Sequence, residues 1–184
     1  MSHDEALALL KENIKNDRMV NHCLASEAVM RAVATRLGRD ADKWGLAGLL
    51  HDIDSEVTNA DPKTHALEAI NILAPYYIDP DILNAIKMHN ECATGMIRSQ
   101  EFEHALAASE TITGLIVATT LVYPDKKVAS VKPSSVVKRM KEKAFAASVR
   151  RECIMECEKI GLTLEEFTTI AIDAMKGIAG EIGL

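Results

Sequence analysis

Apolar residues recur along this chain at the spacing of helices, and no stretch alternates with polar residues for long enough to predict a strand. The segment 17–37 shows the pattern clearly, because its large apolar residues share one arc of a helical wheel. They are Met19, Val29, Met30, Val33 and Leu37. Similar segments follow one another along most of the chain, so the pattern predicts an all-α protein.

Signals for helix ends divide the chain into about nine helical segments. The predicted helix starts are the capping boxes Ser2–Glu5 and Thr163–Glu166 and the N-cap and proline pairs Asp61–Pro62 and Asp79–Pro80. Two glycines placed to end helices are Gly38 and Gly161. Neither an internal repeat nor a low-complexity tract interrupts the sequence, so we expect a single-domain helical bundle spanning residues 1–184.

Composition and charge narrow the class of protein. The chain has 184 residues, enough for one domain with a real hydrophobic core, and a formal net charge of −6. That charge argues against a general nucleic-acid binder, so we expect no nucleic-acid partner. The segment 126–151 is the exception, with nine basic residues against the one acid Glu142. These cations form either a solvated helical face or, for a few of them, part of a site for a phosphorylated ligand.

The N-terminal residues show no secretory signal, since they lack both a basic stretch and a long apolar run. No apolar run approaches the roughly 20 residues that a membrane span needs. We therefore expect a cytoplasmic protein with no membrane partner.

Three residues in the first third of the chain are candidates for chemistry. His22 lies on the inward arc of the helix predicted from about Asp17, where a core histidine with satisfied ring nitrogens is the simpler explanation. His51 and Asp52 end the apolar run Trp44–Leu50, where an imidazole and a carboxylate are unfavourable without a compensating charge. A divalent cation supplies that charge and accepts nitrogen and oxygen donors; an internal His–Asp hydrogen bond is the alternative.

Three further residues lie on inward helix faces. His65 follows the predicted helix start at Asp61, His89 continues the apolar stripe of its helix, and Glu110 shares a face with apolar residues. Helical bundles build metal sites from such inward side chains on separate helices. His3 and His104 are expected on exposed faces, without a role.

Taken together, these residues resemble the HD-domain metal-dependent phosphohydrolases. The resemblance rests on Asn21–His22, on Gly48-Leu-Leu-His-Asp-Ile53 and on the segment Ala108–Ile116 with its acid Glu110. It implies the family's all-α core over residues of about 18–120, with C-terminal helices at 133–184 packed on it. It also implies hydrolysis of phosphate esters or anhydrides.

The resemblance further implies a ligand set. His22, His51, Asp52 and Glu110 would hold one divalent ion, and in the two-metal branches of the family His65 and His89 would hold a second, with Asp52 bridging. The ion could be manganese, iron, cobalt, nickel, magnesium or zinc.

The sequence departs from the family in three places. Glu110 stands where the family usually has aspartate, and Asp54 stands where the His-Asp-Ile-Gly subgroup has glycine. Ser55 and Glu56 follow, without the lysine and the Gly-Tyr-Pro motif of the cyclic-dinucleotide phosphodiesterases. This last departure argues against a cyclic dinucleotide as substrate.

We therefore expect a phosphohydrolase that acts on a small phosphorylated molecule, a nucleotide, through a metal-activated water. Asp52 would bridge or orient the nucleophile, and Lys127 and Lys132 would neutralise the phosphate charge, because they follow the Glu110 helix most closely. The first alternative is a metal- and nucleotide-binding sensor without catalysis. The second is a plain helical bundle whose histidines are core residues.

Overall fold

Eleven α-helices and three short 3-10 segments follow one another in the computed structural model, which describes residues 1–184 and contains no strand. The α-helices are α1 (His3–Asn13), α2 (Asp17–Leu37), α3 (Ala41–Leu50), α4 (Leu67–Leu73), α5 (Pro80–His89), α6 (Glu91–Thr94), α7 (Glu101–Leu121), α8 (Pro133–Met140), α9 (Arg151–Ile154), α10 (Leu164–Gly177) and α11 (Ala179–Ile182). The 3-10 segments are Ala74–Tyr76, Val128–Ser130 and Met155–Ile160. The all-α prediction is confirmed; the count exceeds nine because α6, α9 and α11 are single turns.

Most predicted helix ends are confirmed. Both capping boxes form, with Ser2 and Thr163 as N-caps of α1 and α10. Asp79 caps α5 by accepting a hydrogen bond from the N–H of Asp81 at 2.9 Å. Gly38 and Gly161 end helical segments at φ +67° and +79°, the left-handed conformation that glycine adopts without strain.

The helix predicted to start at Asp61 does not form there. The N–H of His65 donates to the carbonyl of Asp61 at 2.8 Å, which closes one turn. Ala66 then takes a left-handed conformation at φ 75°, and α4 begins only at Leu67. The buried carboxylate of Asp54 accepts the N–H of Ala66 at 2.7 Å, so a side chain outside the segment interrupts the expected helix.

The core forms where α2, α3, α5 and α7 pack together, and helices α8 to α11 pack on α2 and α7. Forty buried apolar residues form one connected hydrophobic cluster, whose first and last members in the sequence are Ala6 and Ile182. Trp44 of α3 stacks on Phe102 of α7 with ring centroids 5.0 Å apart, which adds a directed contact to the apolar packing. None of the helices has the length and hydropathy that crossing a bilayer requires.

A close approach between α2 and α3 depends on Gly48. A Cβ atom there would lie 2.7 Å from the backbone oxygen of Ser26 and 2.9 Å from Cα of Glu27. Because both contacts are with backbone, only a glycine lets the two helices come this close. The approach brings His51, at the end of α3, next to His22 of α2.

We predict that Gly48→Ala lowers the free energy of unfolding by about 1–3 kcal/mol, because the added methyl group must push α3 away from α2. The matched control is Gly177→Ala at the end of α10, where a Cβ atom would meet nothing within 4 Å. Urea denaturation of both variants measures the difference. Equal stabilities would show that the helices tolerate a wider spacing than the structure indicates.

Candidate metal centre

Four imidazoles surround the carboxylate of Asp52. His22 comes from the second turn of α2, His51 follows α3, His65 precedes α4 and His89 is the last residue of α5. His51 is fully buried, and His89 and Asp52 are also buried. Helices that are distant in sequence therefore converge on one buried anion.

The imidazoles divide into two groups, one on each oxygen of Asp52. Oδ2 lies 3.6 Å from Nε2 of His22 and 3.5 Å from Nε2 of His51, and these two nitrogens are 3.2 Å apart. Oδ1 lies 3.0 Å from Nε2 of His65 and 3.4 Å from Nε2 of His89, and these are 3.0 Å apart. Each group presents three possible metal ligands.

Two of the imidazoles are oriented by the backbone of their own helices. Nδ1 of His51 lies 2.8 Å from the carbonyl oxygen of Gly48, and Nδ1 of His89 lies 2.6 Å from that of Ile86. A carbonyl oxygen only accepts, so each Nδ1 carries the proton and donates it. Each Nε2 is thereby left with a lone pair, the form in which histidine binds a metal.

Thr113 gives His22 the same tautomer. Its hydroxyl donates to the carbonyl of Glu110 at 2.6 Å, so its oxygen is free to accept the Nδ1–H of His22 at 3.0 Å. The sequence pattern did not predict a role for this residue. Its only signal was its position one turn after Glu110, on the same inward face.

Asp54 orients His65, a role that the sequence pattern did not predict either. Its fully buried carboxylate accepts the Nδ1–H of His65 at 2.8 Å through Oδ1. Oδ2 accepts the backbone N–H groups of Ala66 at 2.7 Å and Ala69 at 3.0 Å. Asp54 occupies the position where the His-Asp-Ile-Gly subgroup has glycine, so the aspartate at this position has a structural role.

The electrostatics of the cluster favour bound positive charge. Burial, together with the neighbouring imidazoles, lowers the pKa of His51 to about 3. Burial also opposes ionisation of Asp52, but the surrounding imidazoles outweigh it and hold the pKa of that carboxyl well below its usual value. For His65, burial is outweighed by the carboxylates of Asp52 and Asp54, which raise its pKa to about 10.

These donors fit divalent metal ions. The Nε2 lone pairs of His22 and His51 face each other at 3.2 Å and repel unless a cation lies between them and attracts both. In the second pair, Nε2 of His65 lies 3.0 Å from Nε2 of His89, and a metal ion would replace the proton that the raised pKa places on His65. Two nitrogens each about 2.1 Å from one ion, at a right angle, are about 3 Å apart, which matches both histidine pairs. Imidazole and carboxylate donors suit borderline metals such as zinc, iron, manganese and nickel. His22, His51, His65 and His89 would hold the ions, with Asp52 between them.

Glu110, the predicted last ligand, lies at the edge of this cluster. Its Oε2 is 4.0 Å from Nε2 of His22, and its Oε1 accepts a hydrogen bond from the Thr111 hydroxyl. It belongs to neither group of three. Its role as a ligand stays a prediction.

The structure places the two predicted phosphate-binding lysines away from the cluster. Lys127 and Lys132 are exposed and follow the C-terminal end of α7. That end lies about 16 Å from Glu110 along the helix axis. Neither lines a cavity beside His22. Their role stays a prediction that no contact supports. Their closeness to α7 in sequence does not bring them close to Glu110 in space.

A different cation of the basic segment does reach the site. A cavity of about 210 Å³ beside His22 and Glu110 is also lined by Ser148 and Arg150. Val149 of the same segment packs against α7 at Gly114, where a Cβ atom would lie in ordinary contact, 3.4 Å from the Val149 side chain. A second cavity, of about 580 Å³, also borders His22.

A buried ion cluster anchors the end of α5, where His89 lies. The guanidinium of Arg98 donates to both oxygens of Glu156, at 2.9 and 2.6 Å, and to the carbonyls of Met88 at 3.0 Å and His89 at 3.1 Å. His104, which was predicted to be exposed, is buried and contacts Glu156 at 2.6 Å. That prediction was wrong, because the partner of His104 lies far away in the sequence.

We predict that Asp54→Asn weakens metal binding by the His65 and His89 group about 10–100-fold. An amide that donates to Nδ1 of His65 would move its proton to Nε2, which could then no longer bind a metal. Titration with Mn²⁺ and elemental analysis should show metal content falling by about half. Asp173→Asn, on an exposed face of α10, is the control. Unchanged stoichiometry would mean that Asp54 does not set the tautomer of His65.

Comparison with known proteins agrees with this geometry. The sequence model of the HD domain matches residues 19–119, more than half of the chain. The chain is 30% identical to Ribonuclease Y of Mycoplasma mycoides over 92 residues, which are 50% of this chain and 21% of that protein. It is 36% identical to Ribonuclease Y of Nitratidesulfovibrio vulgaris over 76 residues, 41% of this chain and 15% of that protein.

The chain thus spans only 15–21% of the length of these curated relatives. No solved structure matches it. The match of the family model covers every residue of the metal cluster, from His22 to His89, together with Glu110. HD domains bind divalent metal ions, and the cluster around Asp52 could hold them. The chain belongs to the HD domain family of metal-dependent phosphohydrolases.

Proposed function

We propose that this protein hydrolyses a small phosphorylated molecule, specifically a nucleotide, at a centre of two divalent ions bridged by Asp52. The observation that carries the proposal is the division of four imidazole Nε2 atoms between the two oxygens of one buried carboxylate. A single-metal site would need only one of these groups.

The residues around the cluster support hydrolysis. Bound divalent metal lowers the pKa of water to near neutrality and polarises a phosphoryl oxygen. Asp52 stays anionic and has one histidine pair at each of its oxygens. Thr113 and Asp54 accept the Nδ1–H groups of His22 and His65, which leaves each Nε2 facing Asp52.

Arg150 is the cation placed to bind the phosphate. It lines the small polar cavity beside His22, and its ion pair with Glu152 is exposed at 3.0 Å, so a phosphate can displace it at low free-energy cost. The planar guanidinium binds two phosphoryl oxygens at once. The hydroxyl of Ser148, in the same cavity, is a second donor.

RNA is the second candidate substrate. The similarity to proteins named Ribonuclease Y favours it, as does the basic segment 126–151. The net charge of −6 and the small size of the cavity at Arg150 favour a small molecule. A panel of nucleotides, other phosphate esters and short RNA oligonucleotides separates the two candidates.

We predict that the wild-type protein with Mn²⁺ hydrolyses at least one nucleotide of that panel, and that Asp52→Ala abolishes both metal binding and turnover because it removes the shared ligand. Asp173→Ala is the control for the loss of an aspartate. Turnover that survives in Asp52→Ala contradicts the proposal. Full metal occupancy without turnover of any compound would instead indicate a sensor.

We predict that Arg150→Gln lowers kcat/KM about 10–100-fold with metal content unchanged, because charge that develops on the phosphate loses a cation. Lys127→Gln and Lys132→Gln should leave kcat/KM near the wild-type value, since both side chains lie outside the cavities at His22. Steady-state kinetics on the best substrate of the panel measures all three. The reverse ranking would support the sequence-based assignment of the lysines.

A further inference from the structure

The larger cavity beside the metal cluster is not used by the hydrolytic chemistry described above. It has a volume of about 580 Å³ and borders His22 and Thr113, so it opens directly beside the candidate ligands. Gly114 lies between it and the small cavity that contains Arg150, and lines both. A molecule can therefore reach the metal cluster from two adjoining spaces of different character.

The larger cavity is lined by both apolar and polar residues. Val117, Leu121 and Ile182 contribute apolar surface, and Leu121 is 53% exposed. Arg18 also lines the cavity and forms no ion pair within the chain. Asn21 donates its amide N–H to the carbonyl of Ile182 at 3.2 Å, and its own Oδ1 accepts no hydrogen bond from the protein.

We propose that this cavity binds the nucleoside part of the substrate. The base would lie against Val117 and Leu121 with a polar edge towards Asn21. The phosphate would extend past His22 to the metal cluster and Arg150. The placement of the phosphate rests on the proposed function; the binding of the nucleoside does not.

Size and polarity select a nucleoside over other organic groups. The volume lies within the range of roughly 300–1,000 Å³ that is usual for small-molecule sites. An alkyl chain would cover Oδ1 of Asn21 without giving it a donor, which is unfavourable. A nucleobase has apolar faces and a polar edge, so it matches both the apolar lining residues and the free Oδ1 of Asn21.

The test fills the cavity without altering the metal cluster. Ala118 lines the cavity and is not a candidate ligand, so Ala118→Phe places a large side chain where the base would lie. The matched control is Ala129→Phe, at an exposed position of the 3-10 segment Val128–Ser130. Isothermal titration calorimetry measures the binding of the four ribonucleosides, of alkyl phosphates and of inorganic phosphate to the Mn²⁺-loaded protein and to the protein in chelator.

We expect wild type to bind at least one ribonucleoside with and without metal, and Ala118→Phe to weaken that binding by about tenfold or more. Inorganic phosphate should bind both proteins equally when Mn²⁺ is present, and Ala129→Phe should behave as wild type. Circular dichroism and thermal melting verify that each variant folds.

The inference is overturned if wild type binds no ribonucleoside, or if a folded Ala118→Phe binds it as tightly as wild type does. Preferential binding of alkyl phosphates, lost in Ala118→Phe, would also overturn it. Nucleoside binding that Ala118→Phe removes, combined with no hydrolysis of any phosphate ester, would retain the cavity assignment and contradict only the proposed function.

Discussion

The structure depends on one constraint: a buried carboxylate must be surrounded by enough positive or hydrogen-bonding character to remain ionised. Asp52 meets it with two imidazoles on each oxygen, contributed by α2, α5 and the segments after α3 and before α4. An isolated anion at this depth is strongly unfavourable, and divalent cations on both sides of it remove the cost. The helices therefore pack so that the negative charge of Asp52 is compensated at their centre.

The sequence predicted much of this centre because helical periodicity places side chains on faces. His22, His89 and Glu110 were assigned to inward stripes, and the structure has all three facing the cluster region. The fold class followed from the same periodicity. Most helix ends were predicted from capping signals, because a capping side chain bonds to a backbone group only a few residues away.

The residues that orient the ligands escaped prediction because their roles depend on distant partners. Asp54 accepts the imidazole N–H of His65 and backbone N–H groups 12 and 15 residues later, and in doing so delays the start of α4. His104 follows the acidic residues Glu101 and Glu103, which suggested an exposed face, yet it is buried against Glu156, 52 positions away. Arg150 lines the cavity beside Glu110 although Lys127 is nearer to Glu110 in sequence. The chain leaves α7 at Leu121, three turns beyond Glu110, and comes back to the site only at residues 148–150.

Anomalous diffraction from crystals grown with Mn²⁺ shows directly whether two ions share Asp52. We expect two peaks, roughly 3.5–4 Å apart, one at the Oδ2 side with His22 and His51 and one at the Oδ1 side with His65 and His89. A single peak at only one of these groups, or no peak beside Asp52, would contradict the proposed two-ion centre.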